Sequence, residues 1–154
     1  MAIRLIGLIY MWIIFALSAS LMWGLTYVIN EQVYKKISVV TSLSITSFAM
    51  FVVMLVVACS QGLLKKDLSV ISSSKNLMFL VLVETITLIL AELSIGFAIT
   101  NKNATLAGLI EISYPIFITL FAYFIFKENG VSLSTIIGGL LIFIGVFIIY
   151  YFNK

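Results

Sequence analysis

The chain has 154 residues, 63% of them hydrophobic and 10% charged, and a mean hydropathy of +1.25. Those values exclude a water-soluble globular domain and make lipid the main solvent. The net charge of +3 lies in the connections between apolar runs, which fits lipid headgroups better than nucleic acid, and with no His and a single Cys neither a metal site on ordinary ligands nor a cofactor is expected.

A helix needs about 20 apolar residues to cross a hydrocarbon core of roughly 30 Å. Windows of that length free of Lys and Arg predict five crossings, at 5–29, 39–60, 77–99, 104–126 and 131–152. The expectation is an all-α membrane protein forming one domain over 1–154.

The first window opens with Arg4 and passes Ala16-Leu17-Ser18, a pattern that a cleavable signal peptide also shows. Its apolar run continues to Ile29, longer than a signal core, which predicts an uncleaved spanning helix. Trp23, Thr26, Tyr27 and Asn30 give this helix a polar and aromatic end, read either as an interfacial anchor or as a substrate wall. The next connection carries Glu31, Lys35 and Lys36. In the second window Cys59 reads as a small core residue without a disulfide partner, and a polar connection with Lys65, Lys66, Asp67 and Lys75 follows over 61–76.

Three carboxylates fall inside the third and fourth windows: Glu84, Glu92 and Glu111. An acidic group near the middle of a span costs roughly 2.5 to 3.5 kcal/mol on insertion scales, so it faces a cavity or a partner in preference to lipid. Glu92 and Glu111 are equally distant from the centre of the turn at 100–103, and an antiparallel hairpin sets both about 12 to 14 Å deep at 1.5 Å per residue. Glu84 lies eight residues before Glu92, about 80° round the same helix. Ala104, Ala107, Gly108, Glu111, Pro115 and Ala122 share a stripe on the fourth window, where small residues permit close packing and direct Glu111 into protein. Low dielectric disfavours the charged form of a carboxyl group, which suits such a group to exchange a proton for a cationic substrate. The alternative is that these carboxyls stay protonated and hydrogen-bond between helices, or that Glu84 reaches an interface. Glu92, Glu111 and Glu84, with Trp23, Tyr27 and Tyr114, are the candidate substrate- or proton-binding residues. Pro115 predicts a kink, as fixed geometry or as a hinge. A tight turn at 127–130 leads to the last window, where Gly138, Gly139 and Gly145 mark a packing or dimer face.

Five crossings place the chain ends on opposite sides. One side receives Arg4, Lys65, Lys66, Lys75 and Lys127, and the other Lys35, Lys36, Lys102 and Lys154, five against four. A chain committed to one orientation carries a clear excess of Lys and Arg on its cytoplasmic side, so this balance predicts dual topology, the alternative being a weak bias that fixes one orientation. Two oppositely inserted copies would build an inverted-repeat transporter from a single sequence.

The order of motifs resembles one half of an EamA-type member of the drug/metabolite transporter superfamily, over nearly the whole chain. The resemblance rests on Ser20 to Thr26 with its Trp23-Gly24 pair, Ala98-Ile99-Thr100 to Ala107, Ser113-Tyr114-Pro115-Ile116-Phe117, Phe126-Lys127-Glu128, and Ile137-Gly138-Gly139 to Gly145-Val146. It implies a transporter fold of two fused five-helix halves, of which this sequence holds one, and hence an antiparallel homodimer or a heterodimer with a separately encoded half. Glu128 of the motif opens the fifth helix, where an acidic side chain suits the helix N-terminus. The glycine spacing of that helix also resembles the last helix of small multidrug resistance proteins, whose first-helix Glu is absent here; Glu92 and Glu111 are therefore offered as exchange groups on physical argument alone. The expected function is secondary transport of a small polar or cationic metabolite or drug across the cytoplasmic membrane. A subunit of a lipid-linked sugar flippase and a non-transporting assembly or pore-forming protein are the alternatives. An enzyme is not expected, since no nucleophile and base pair, metal cluster or phosphate-cradling loop is visible.

Overall fold

The computed structural model describes residues 2–127 and 132–152, so the expected roles of Glu128 and its turn, and of Lys154, lie outside the described residues. Seven helices are present among them and no strand: α1 (Ala2–Tyr34), α2 (Val39–Ser60), α3 (Leu63–Ser73), α4 (Lys75–Asn101), α5 (Ala104–Glu111), α6 (Tyr114–Phe126) and α7 (Leu133–Phe152). They supply five segments long and apolar enough to cross a membrane, at Tyr10–Tyr34, Val39–Ser60, Lys75–Asn101, Ala104–Phe126 and Leu133–Phe152.

Lipid offers no partner for an unpaired polar group, so each crossing must satisfy itself. Short polar side chains do this at the helix ends: Ser38 accepts from the Thr41 N–H at 3.2 Å, Ser74 from Leu77 at 3.3 Å and Asn103 from Leu106 at 2.8 Å. Within the spans, hydroxyls donate back to carbonyls one turn earlier, as Thr85 does to Val81, Ser94 to Leu90, Thr100 to Gly96 and Thr119 to Pro115.

Three features depart from the sequence reading. First, α1 runs five residues beyond the expected end, because its last polar turn packs against other helices instead of turning away into water. Second, the connection at 61–76 is not irregular. Gly62, at a φ of 67°, ends α2 by turning left-handed, and the spacing of Leu63, Leu64, Leu68, Val70 and Ile71 then folds an amphipathic α3. Third, the fourth span is not one regular helix. Its regular hydrogen bonding stops at Glu111 and resumes at Tyr114, with Pro115 in the first turn of α6, while Ile112 and Ser113 keep right-handed helical dihedrals, so the expected kink takes the form of a locally tightened turn. Cys59 corrects a smaller expectation: it is exposed near the end of α2 and does not sit in the core.

The core lies at one end of the bundle. Ile99, Ala104 and Ala107 are buried together, with Tyr27, Tyr34 and Ile95 packed on them, and Val39, Ser42 and Gly96 are buried nearby. Here the end of α1, the start of α2, the end of α4 and the start of α5 converge. A Cβ at Gly96 would collide with Cγ1 of Val39 and lie 3.5 Å from the Tyr34 hydroxyl, so the absence of a side chain is what lets α4 meet α1 and α2 so closely. Beyond the break α6 is largely exposed, and a groove with a cavity volume of about 620 Å³ opens between α6 and α7, lined among others by Pro115, Ile116, Thr119, Gly138, Gly139 and Phe143.

Candidate functional site

The α1 side chains that build the site recur at helical spacing. Trp23, Tyr27, Glu31 and Tyr34 fall at i, i+4, i+8 and i+11, one stripe at about 100° per residue, and this stripe runs antiparallel to Ala104, Ala107, Gly108 and Glu111 on α5. At the closed end the Glu31 carboxylate accepts the Ala104 N–H at 2.8 Å, while Lys35 stands 3.5 Å from its other oxygen. An acceptor carrying negative charge at a helix N-terminus satisfies an otherwise unpaired donor and complements the helix dipole. Asn103 takes a second donor of the same turn. Asn103 thus caps α5 from within, and Glu31 ties its first turn to α1.

One turn deeper the Tyr27 ring lies over Gly108, where a Cβ would come 3.1 Å from Cδ2 of the ring. The missing side chain lets the ring approach closely enough for its hydroxyl to donate to Oε2 of Glu111. Trp23 packs against Tyr27 with ring centroids 5.8 Å apart at 60°. From α4, Glu92 interacts electrostatically with both Glu111 and Tyr27 and also with Tyr34. Tyr114, the first residue of α6, interacts with Tyr27 across the break. Glu92, Glu111 and Tyr27 are all partly buried, whereas Trp23 and Tyr114 are exposed. The only ion pair among the described residues is Glu31 with Lys35, so neither Glu92 nor Glu111 has a Lys or Arg partner there.

The break adds backbone chemistry beside the carboxylates. The Ile112 N–H still reaches Gly108 at 3.1 Å, but the Ser113 N–H tightens to the Ile110 carbonyl at 3.2 Å. Pro115 has no N–H to give to the Glu111 carbonyl four residues earlier. The Glu111 carbonyl is thus left without its helical donor beside the Glu111 carboxylate.

The structure thus brings together Glu92, Glu111, Tyr27, Trp23 and Tyr114. Glu84 does not join them: it is exposed, about 12 Å further along α4 at 1.5 Å per residue. Of the glycines in the last span, Gly139 packs against Ile116, where a Cβ would lie 3.3 Å away, whereas Gly138 and Gly145 have nothing within 4 Å. Sequence reasoning missed Glu31 and Tyr34 because they lie where the apolar run has ended. Their spacing from Tyr27 is the signal that could have found them.

Together the fold and this site define an all-helical, polytopic membrane protein with acidic groups held inside its bundle. Residues 10–151 match the EamA-like transporter family, and the chain belongs to that family, part of the drug/metabolite transporter superfamily. Neither the curated proteins nor the solved structures compared with the chain gave a match.

Proposed function

We propose that this chain is one five-helix half of a secondary transporter that moves a small polar or cationic metabolite or drug across the cytoplasmic membrane, with Glu92 and Glu111 exchanging cargo for protons. One observation carries the reading: two interacting, partly buried carboxylates without a basic partner among the described residues sit beside the turn where the fourth span tightens ahead of Pro115. The Tyr27 hydroxyl on Glu111 occupies the place a cation or a proton would take, so cargo binding and α1 contact compete for one oxygen. A single half leaves this site bounded on one side only. Pairing with an oppositely inserted copy, or with a separately encoded half, would complete it around an axis in the membrane plane.

Reconstituted vesicles carrying a pH gradient test the assignment. Glu92→Gln and Glu111→Gln should each insert normally and abolish gradient-driven uptake of an organic cation, while Glu84→Gln should retain it. Uptake undiminished in both of the first two variants would remove the exchange role from these residues.

The apolar groove between α6 and α7 favours a second reading, in which the cargo is a lipid-linked sugar whose chain rides in that groove with its polar end beside the break. Thr119→Phe, which fills the groove, should then stop translocation of a polyprenyl-linked sugar. Under the first reading it should leave small-solute uptake close to normal.

A further inference from the structure

We propose that α3 is an interfacial anchor whose lysines, with Lys75, bind the phosphate groups of anionic phospholipids in the leaflet on that side of the membrane. Its place in the chain sets its depth. Gln61 and Gly62 join it to the end of α2, and Ser74 joins it to the start of α4; both neighbours are spanning segments, so an eleven-residue helix held between their ends lies at the level where they leave the hydrocarbon.

The side chains fit that level. At about 100° per residue Leu63, Leu64, Leu68, Val70 and Ile71 fall within one side of α3, which also holds Asp67, and Lys65, Lys66, Ser69, Ser72 and Ser73 cover the other. Leu64 and Ile71 are partly buried against the protein, while Leu63 and Val70 on one flank of them and Leu68 on the other remain 40%, 49% and 56% exposed, apolar surface that the protein leaves to the membrane. Lys65, Lys66 and Lys75 are exposed and none enters an ion pair among the described residues. Asp67 is the one acidic group on α3, and it makes no salt bridge with them. Three cations against one anion, beside exposed apolar side chains at fixed depth, complement a layer of phosphates and not a neutral surface.

The lipid preference can be read with the full chain reconstituted in phosphatidylcholine vesicles. In a Cys59→Ser background, a fluorophore on Leu68→Cys is titrated with phosphatidylglycerol or with phosphatidylcholine, each carrying a nitroxide near the top of one acyl chain. Half-quenching should need at least about tenfold less of the anionic lipid, given a gain of roughly fivefold per lysine near a charged surface. The combined substitution Lys65→Gln, Lys66→Gln, Lys75→Gln should erase the difference while leaving quenching by phosphatidylcholine unchanged, and Asp67→Asn should enlarge it. Equal quenching by both lipids, or an anionic preference that survives the triple variant, would overturn the headgroup site. Absence of quenching by either lipid would overturn the interfacial placement itself.

Discussion

Tyr27 and Glu111 show how single residues set the chemistry here. Under the proposed exchange role the hydroxyl draws on the charge of the carboxylate oxygen that an incoming cation would use, so removing the hydroxyl removes a competitor. Tyr27→Phe should tighten binding of a cationic cargo by about fivefold, the equivalent of about 1 kcal/mol for one such hydrogen bond, and should slow turnover because α1 no longer senses the state of Glu111. Equilibrium binding and initial uptake rates, measured on the same preparation, check both parts. Glu31 acts differently, by holding a backbone donor. Glu31→Ala should speed hydrogen exchange at the Ala104 amide, whereas Glu31→Gln, which keeps an acceptor oxygen, should largely preserve protection; equal rates in the two variants would show that the contact carries no weight. Glu92, Glu111 and Tyr27 were legible in the sequence because a carboxylate within an apolar run is conspicuous and its depth follows from counting. Glu31 was not, since an acid beside Lys35 and Lys36 looks like any solvated connection until the partner helix is in place.

At the level of helices, glycine positions divide into those that meet a neighbour and those that do not. Gly96 belongs to the first kind. Gly96→Ala should destabilise the bundle by about 1–3 kcal/mol through overpacking against Val39, and Val39→Ala should recover much of that loss, since the two sites share one contact and are not independent. Thermal unfolding in detergent of the two single variants and the double variant measures this coupling. The five crossings themselves could be read directly, as lipid demands long apolar helices and admits few alternatives. The tightened turn at 112–113 and the amphipathic α3 were harder to see. A proline after a run of good helix formers signals a bend without saying whether the helix merely leans or also tightens, and a short helix with as many polar as apolar residues has the composition of a loop.

The whole molecule is left unusually open for a folded chain, with large side chains such as Phe48, Leu82, Phe124 and Phe147 mostly exposed. Lipid can cover such surfaces, and so can a second half. Gly138 and Gly145, seven residues apart, where an added Cβ would meet nothing within 4 Å among the described residues, are where another helix could come close. Gly138→Leu with Gly145→Leu should leave the fold of the single chain intact and shift cross-linked dimer to monomer; a dimer that persists would place the partner elsewhere. Paired topology reporters fused after Lys154, one active inside the cell and one outside, should both give signal if the balanced lysines permit insertion either way. Signal from one reporter alone would exclude self-pairing in opposite orientations and direct attention to a separately encoded partner.

A hinge at the turn before Pro115 would make a lever of the fourth span. Glu31 holds the short arm, α5, to α1, while the long arm, α6, extends about 20 Å from Ile112 and Ser113 at 1.5 Å per residue. A rotation of about 10° there would carry the Phe126 end through roughly 3–4 Å, enough to admit or shut out a water molecule, by the same helix rise. Glu111, beside the fulcrum, would scarcely move. Access could thus be changed at the far end of the arm without disturbing the acid that waits at its pivot.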